Sequence, residues 1–141
     1  KAVLIHNVDI FTDIDFQPYY DDFINSDDAA WLFTQERDNL SKVAFDVHNN
    51  FVGTYNINTK DFDSDKDFSE VSKLMSFSGL HIIKPEYFQS FELKRCHVWS
   101  LYKEISKNNK VKSEYIKPKY WFDLGTQEQL KTVSEWLSSQ N

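Results

Sequence analysis

Two acidic residues far apart in the chain share a setting that suits the same chemistry. Asp9 closes the apolar run Val3-Leu4-Ile5-His6-Asn7-Val8-Asp9, and Asp123 sits in Tyr120-Trp121-Phe122-Asp123-Leu124-Gly125-Thr126. Each time, a stretch fit for a strand stops at a carboxylate. Ligands of open α/β sheets gather at the carboxyl ends of strands. Carboxylates placed there can hold a divalent cation against phosphate oxygens. The competing role for either residue is to cap a turn or helix, and Asp123 stands just before a helix expected to begin near Thr126. Brought together by folding, the pair would form a metal site.

Other residues carry weaker signals. Gly79, in Phe77-Ser78-Gly79, lacks a Cβ and so admits a ligand close to the backbone, or else marks a β-bulge. Ser78 offers a hydroxyl. Arg37 and Lys42 suit a phosphate, although a solvated polar loop explains them equally well. His6 reads as a satisfied core histidine and His48 as a hairpin-turn residue. Cys96 stands between Arg95 and His97, a neighbourhood that can lower a thiol pKa, but a structural cysteine is the commoner case. No Ser-His-Asp order and no zinc-ligand spacing is present.

The elements that must position these residues follow from periodicity. Residues 2–6 read as a buried strand. A polar turn follows, and Phe16–Ile24 reads as a short helix with Asp15 as N-cap and Pro18 in its first turn. Ala29–Thr34 is a second apolar strand. Strand, helix and strand in that order favour parallel neighbours with a right-handed crossover. Residues 43–47 and 51–55 flank His48-Asn49-Asn50 as a hairpin. Residues 60–70 read as a solvated loop, 74–83 as a strong strand, and Pro85–Phe88 as a helical turn. A helix is expected over 98–106, short strands over 111–116 and 119–124, and a final helix over 127–137 with Thr126 as N-cap.

Composition bounds the rest. The 141 residues suit a single domain, 1–141. Twelve phenylalanines and seven tyrosines supply a core. A net charge of −6 argues against a nucleic-acid partner. The single cysteine excludes an intrachain disulfide and fits a reducing, cytoplasmic setting. No apolar run reaches transmembrane length, so no membrane partner is expected.

Three segments together resemble the sugar-phosphate nucleotidyltransferases (nucleotide-sugar pyrophosphorylases), in the branch like mannose-1-phosphate guanylyltransferases and N-acetylmuramate-1-phosphate uridylyltransferases. His6-Asn7-Val8-Asp9-Ile10 is similar to the family's strand ending in Asn/Gly-x-Asp. Phe77-Ser78-Gly79-Leu80-His81-Ile82-Ile83-Lys84-Pro85-Glu86-Tyr87-Phe88 resembles F-S-G-I-x-V-x-x-P-x-x-F. Trp121-Phe122-Asp123-Leu124-Gly125-Thr126-Gln127-Glu128-Gln129-Leu130 resembles W-x-D-x-G-T-P-E-x-L. A weaker likeness runs from Arg37 to Asn56, where Tyr55 and Asn56 partly match a G-W-x-N hairpin.

The resemblance implies an α/β, Rossmann-like nucleotide-diphospho-sugar transferase fold: a mixed, mostly parallel sheet with flanking helices and a β-hairpin. It implies a Mg²⁺-dependent transfer between a nucleoside triphosphate and a sugar 1-phosphate, giving a nucleotide sugar and pyrophosphate. Asp9 and Asp123 would be the catalytic metal ligands, and Ser78, Gly79, Tyr55 and Asn56 the substrate-binding residues. The family's glycine-rich phosphate loop, G-x-G-x-R-x-x-P-x-T, has no counterpart here. The N-terminal nucleotide-binding part is therefore expected to be absent, either because the chain is the later portion of a longer catalytic domain or because that part was lost. The opening at Lys1, directly into a strand, favours the first, and the isolated portion is expected to be inactive. The alternative is a non-catalytic sugar-phosphate-binding or regulatory module of the same fold; a third reading is a small α/β interaction domain whose aromatic surface pairs with another chain, such as a second copy in a homo-oligomer, and an exposed sheet edge would suit it.

Overall fold

A computed structural model describes residues 1–88 and 97–140. In chain order the elements begin with β1 (Val3–His6), β2 (Ile10–Thr12), α1 (Gln17–Ile24), β3 (Ala30–Gln35), β4 (Ser41–Phe45) and β5 (Phe51–Asn56). They continue with β6 (Phe62–Asp63), β7 (Lys73–Ile83), α2 (Val98–Ser106), β8 (Val111–Tyr115), β9 (Trp121–Asp123) and α3 (Gln127–Ser139). Short 3₁₀ turns occupy Phe68–Glu70 and Pro85–Phe88.

The long strand β7 is the spine. The main sheet runs β6-β5-β4-β7-β3-β8, and β1 pairs with the second half of β7. Strands β2 and β9 form a separate antiparallel ribbon. Successive side chains of a strand face opposite ways, and the sheet accordingly has a core on each face. Leu32, Phe45, Phe51 and Ile83 pack with Leu101, Tyr102 and Ile105 of α2 on one side. Phe33, Leu80, Ile82 and Ile116 pack with Phe23 of α1 on the other. Burying each such side chain is worth roughly 1.5–3 kcal/mol. Helix α3 rests instead on the ribbon, with Trp136 5.0 Å from Tyr120 and 5.2 Å from Phe122, ring centre to ring centre.

The α/β architecture matches expectation, but strand direction does not. Strands β1 and β3 do point the same way, yet β7 lies between them and runs opposite to both, so that Val3 and Ala30 each face Ile83. The only parallel pair among the described residues is β3 with β8, and the sheet is largely antiparallel. Apolar runs identify strands without saying which pair, and the strong strand β7, contributed from far along the chain, takes the place between β1 and β3. Strand β1 is correspondingly an edge strand. Its apolar run is explained by Leu4 packing on one core and Ile5 on the other.

Local capping is met in one helix and altered in another. Thr126 caps α3, and Gln129 completes a reciprocal capping box. Helix α1 takes Phe16 as its N-cap rather than Asp15, whose Oδ1 accepts the Gln17 N–H at 3.0 Å just outside the helix. Pro18 lies in the first turn as expected. The segment 60–70 is more ordered than a solvated loop. Its β6 extends the hairpin, and Phe68 packs on Tyr55 and Phe62, each at 5.1 Å. The Cys96–Arg95 neighbourhood falls outside the described residues. No helix among the described residues is long and apolar enough to cross a membrane.

Candidate functional site

After His6 the chain leaves the sheet in a tight turn. The Asn7 N–H donates to the Gly79 carbonyl at 3.0 Å, and the Ile10 N–H returns to the Asn7 carbonyl at 3.2 Å. That turn delivers Asp9 to the start of β2. In the ribbon, Ile10 stands opposite Asp123, and the Leu124 N–H donates to the Asp9 carbonyl at 2.6 Å. Backbone pairing therefore sets the two aspartates side by side, although neither lies at the end of a parallel strand as the sequence had suggested.

Their carboxylates converge beside Gly125. The position a Cβ would take there is 3.0 Å from Asp123 Oδ1 and 3.6 Å from Asp9 Oδ2. A Cβ there would crowd Asp123 Oδ1 and touch Asp9 Oδ2, and glycine keeps that position clear. Both aspartates are half-buried. Asp123 Oδ1 accepts the Gly125 N–H at 2.8 Å. Among the described residues, no lysine, arginine or histidine forms an ion pair with either carboxylate. No cluster of three or more His, Cys, Asp or Glu exists there either. Two carboxylates around a small opening, with no ion pair to either among the described residues, suit a cation that takes few protein ligands and keeps its waters and substrate oxygens, as Mg²⁺ does.

Beneath the aspartates lies a bulge in β7. Between Leu32 and Thr34 the pairing of β3 with β7 skips, and Gly79 adopts φ +82°. Its free side is filled by the protein itself, since a Cβ there would come within 2.8 Å of Ile10 Cγ1. Gly79 thus lets the turn that carries Asp9 sit close on β7. Ser78 is fully buried, and its hydroxyl donates to the Phe33 carbonyl at 2.8 Å. Its own carbonyl accepts the Trp121 Nε1–H at 2.9 Å, tying the ribbon to the bulge.

Arg37 stands next to this junction. Its guanidinium lies 3.9 Å over the Trp121 ring, and Nη2 donates to the Phe77 carbonyl at 2.7 Å. Burial draws its pKa down, and the nearby Asp123 carboxylate opposes that shift. Its Nε is buried without a partner. Arg37 and Asp123 line one cleft of about 340 Å³ with Glu128 and Gln129. Lys42 is committed elsewhere, its ammonium reaching the Arg37 carbonyl, Asn39 Oδ1 and Ser76 Oγ.

Tyr55 and Asn56 lie on a different cleft, of about 440 Å³, at the open end of the hairpin. The Tyr55 ring packs on Phe68, and Asn56 Oδ1 accepts the N–H groups of Asn58 and Thr59 at 2.9 and 3.0 Å. His6 is exposed rather than part of a core, because β1 is an edge, and its Nε2 lies 3.1 Å from the Ile10 carbonyl. His81, which sequence reasoning passed over, is the buried histidine. Its Nδ1 is hydrogen-bonded to the Tyr102 hydroxyl, and burial lowers its pKa to about 4. Only its place in the inward-facing alternation of β7 signalled this.

No protein-family model matches the sequence, and no curated protein is similar to it at the sequence level. Solved structures are similar in fold. A protein described as a glucose-1-phosphate thymidylyltransferase from Bacillus anthracis, solved with sucrose, superposes with a TM-score of 0.70 at 16% identity. That match covers 96% of this chain and 54% of the other. HddC from Yersinia pseudotuberculosis superposes at 0.63, and its complex with GMP-PN at 0.62, each with 12% identity over 96% of this chain and 55% of the other. The chain thus spans about half the length of these structures and shares their α/β fold.

Proposed function

We propose that the protein carrying this chain transfers a nucleotidyl group from a nucleoside triphosphate to a sugar 1-phosphate, with Asp9 and Asp123 as its Mg²⁺ ligands. The observation that carries this reading is the convergence of the two carboxylates beside Gly125. The fold shared with proteins solved with a sugar and with a nucleotide analogue supports it.

In this reaction a phosphate oxygen of the sugar 1-phosphate attacks the α-phosphorus. The new P–O bond forms as the bond from the α-phosphorus to the bridging oxygen breaks, and pyrophosphate departs with that electron pair. The attacking oxygen is already anionic, so no general base is required, and the protein's task is alignment and charge. Bound between the aspartates, Mg²⁺ would supply charge neutralisation for the phosphate oxygens. Asp9 and Asp123 do their part through rigid placement, since the ribbon register and the Leu124 N–H to Asp9 carbonyl bond hold the two backbones together. Ser78 and Gly79 shape the bulge on which the Asp9 turn rests, and Tyr55 and Asn56 form the wall of the neighbouring cleft.

The test is turnover in the full-length protein. Asp9→Asn and Asp123→Asn should each lower it by orders of magnitude while leaving far-ultraviolet circular dichroism unchanged. Wild-type rates in both would remove the metal assignment.

A further inference from the structure

Arg37 is the one cation among the described residues lining the cleft that holds Asp123, and Glu128 is the other acid there. Three ties keep it in place. Its guanidinium lies 3.9 Å over the Trp121 ring, and Nη2 donates to the Phe77 carbonyl at 2.7 Å. Its own carbonyl accepts from the Lys42 ammonium at 2.5 Å. Trp121 is fixed in turn by the bond from its Nε1–H to the Ser78 carbonyl. So held, the guanidinium forms no ion pair with Asp123 among the described residues. The two charges nevertheless act on each other, since the carboxylate opposes the burial that lowers the Arg37 pKa.

An arginine next to a carboxylate commonly pairs with it through two parallel hydrogen bonds. This one is anchored without pairing. It is half-buried, and its Nε is a buried donor with no partner. Its charge is therefore not cancelled by contact, and it acts on the opening that Asp9 and Asp123 share. A divalent cation entering that opening gains two carboxylates and meets a fixed positive charge beside them. In a half-buried setting such repulsion is well above its value in water. An anion in the same cleft is drawn by both positive charges and reverses the balance.

We propose that Arg37 gates the metal site by charge. It holds down the affinity of Asp9 and Asp123 for a free divalent cation, so that the cation is loaded together with a phosphate-bearing anion rather than ahead of it. The proposal rests on the metal reading above and adds how that site is filled. Arg37 is here a positioning residue, acting on the cation through its fixed charge and not as a ligand. The stacking on Trp121 and the bond to the Phe77 carbonyl are what keep that charge from collapsing onto Asp123.

Titration of the full chain with Mn²⁺ tests the gate. Arg37→Met removes the charge and keeps much of the side-chain length, and it should bind Mn²⁺ about fivefold more tightly than the wild type, or better. Arg37→Lys keeps the charge and should bind Mn²⁺ no more tightly than the wild type. A residue that only ties the ribbon to β7 would act the other way, because loosened aspartates in Arg37→Met would hold Mn²⁺ more weakly. Affinity for Mn²⁺ in Arg37→Met equal to or below that of the wild type would overturn the proposal and leave the metal reading intact. A second measurement uses the preformed complex of Mn²⁺ with methylenediphosphonate. The wild type should bind that complex about tenfold more tightly than free Mn²⁺, and in Arg37→Met the ratio should shrink to about twofold or less. Equal affinity of the wild type for ion and complex would overturn the coupling, whether or not Arg37→Met folds. Uptake of Mn²⁺ by neither the wild type nor Arg37→Met would overturn the metal reading, and the gate with it.

Discussion

The aspartate rim and the hairpin cleft are built from similar materials and left in opposite states. At the hairpin, Asn56 Oδ1 is taken by two backbone N–H groups, the Lys42 ammonium has three acceptors, and Tyr55 is packed on Phe68. At the rim, two half-buried carboxylates share one opening, a guanidinium keeps a buried donor unpaired, and the neighbouring Gln35 keeps a buried acceptor unpaired. Folded chains satisfy nearly all buried polar groups. The saturated groups of the hairpin cleft serve the fold, and the open groups at the rim are ones a ligand can complete; Asn49 Oδ1 and Asn50 Oδ1, at the turn between β4 and β5, are also buried without a partner.

That contrast orders the expected effects of substitution. Asp9→Asn or Asp123→Asn removes a charge that serves the ligand, so turnover in the full-length protein should fall by roughly a hundredfold or more. Thermal stability should hold or rise, because two carboxylates no longer repel each other. A large loss of stability would place these residues in the saturated class instead.

Beneath the hairpin cleft, His81 gives the reverse expectation, an effect on stability alone. Its pKa in the folded chain is lowered to about 4. Between about pH 6.5 and pH 4 the unfolded chain therefore binds a proton that the folded chain refuses. Stability from this group is complete above pH 6.5 and lost as pH falls toward 4, by up to about 3 kcal/mol. Denaturant unfolding at pH 7 and pH 4.5, compared with His81→Phe, should show the variant with the shallower pH dependence. Equal slopes would contradict the assignment.

Gly79→Ala tests how the rim is carried. A side chain at φ +82°, and 2.8 Å from Ile10 Cγ1, should cost about 1–2 kcal/mol or more. It should also weaken Mn²⁺ binding, because the turn bearing Asp9 must shift. The smallest effect is expected at Asn56→Ala. The loss of two turn hydrogen bonds should cost about 1 kcal/mol, read from unfolding curves, with turnover changed less than threefold. A tenfold loss of turnover there would erase the contrast between the two regions.

What the sequence made legible follows the same division. Strands and helices came from apolar period, and Thr126 from its place before an amphipathic run, because those signals are local. The pairing of β1 and β3 through β7 was not legible, since hydrophobic runs do not name their partners. Asp9 and Asp123 stood out as carboxylates closing apolar segments, but the ribbon that joins them did not, because Ile10–Thr12 is only three residues long. Arg37 read equally as a loop residue. Its place on Trp121 comes from a contact between segments far apart in the chain. Gln35 gave no sign at all, because an unsatisfied amide is a property of packing.

The most direct test is Mn²⁺ binding to this chain, followed by electron paramagnetic resonance and reversed with a chelator. One ion per chain should bind, and binding should be lost in Asp9→Asn and in Asp123→Asn while the far-ultraviolet spectrum stays the same. An ion that binds both variants as it binds the wild type, or a wild-type chain that takes up none, would contradict the account.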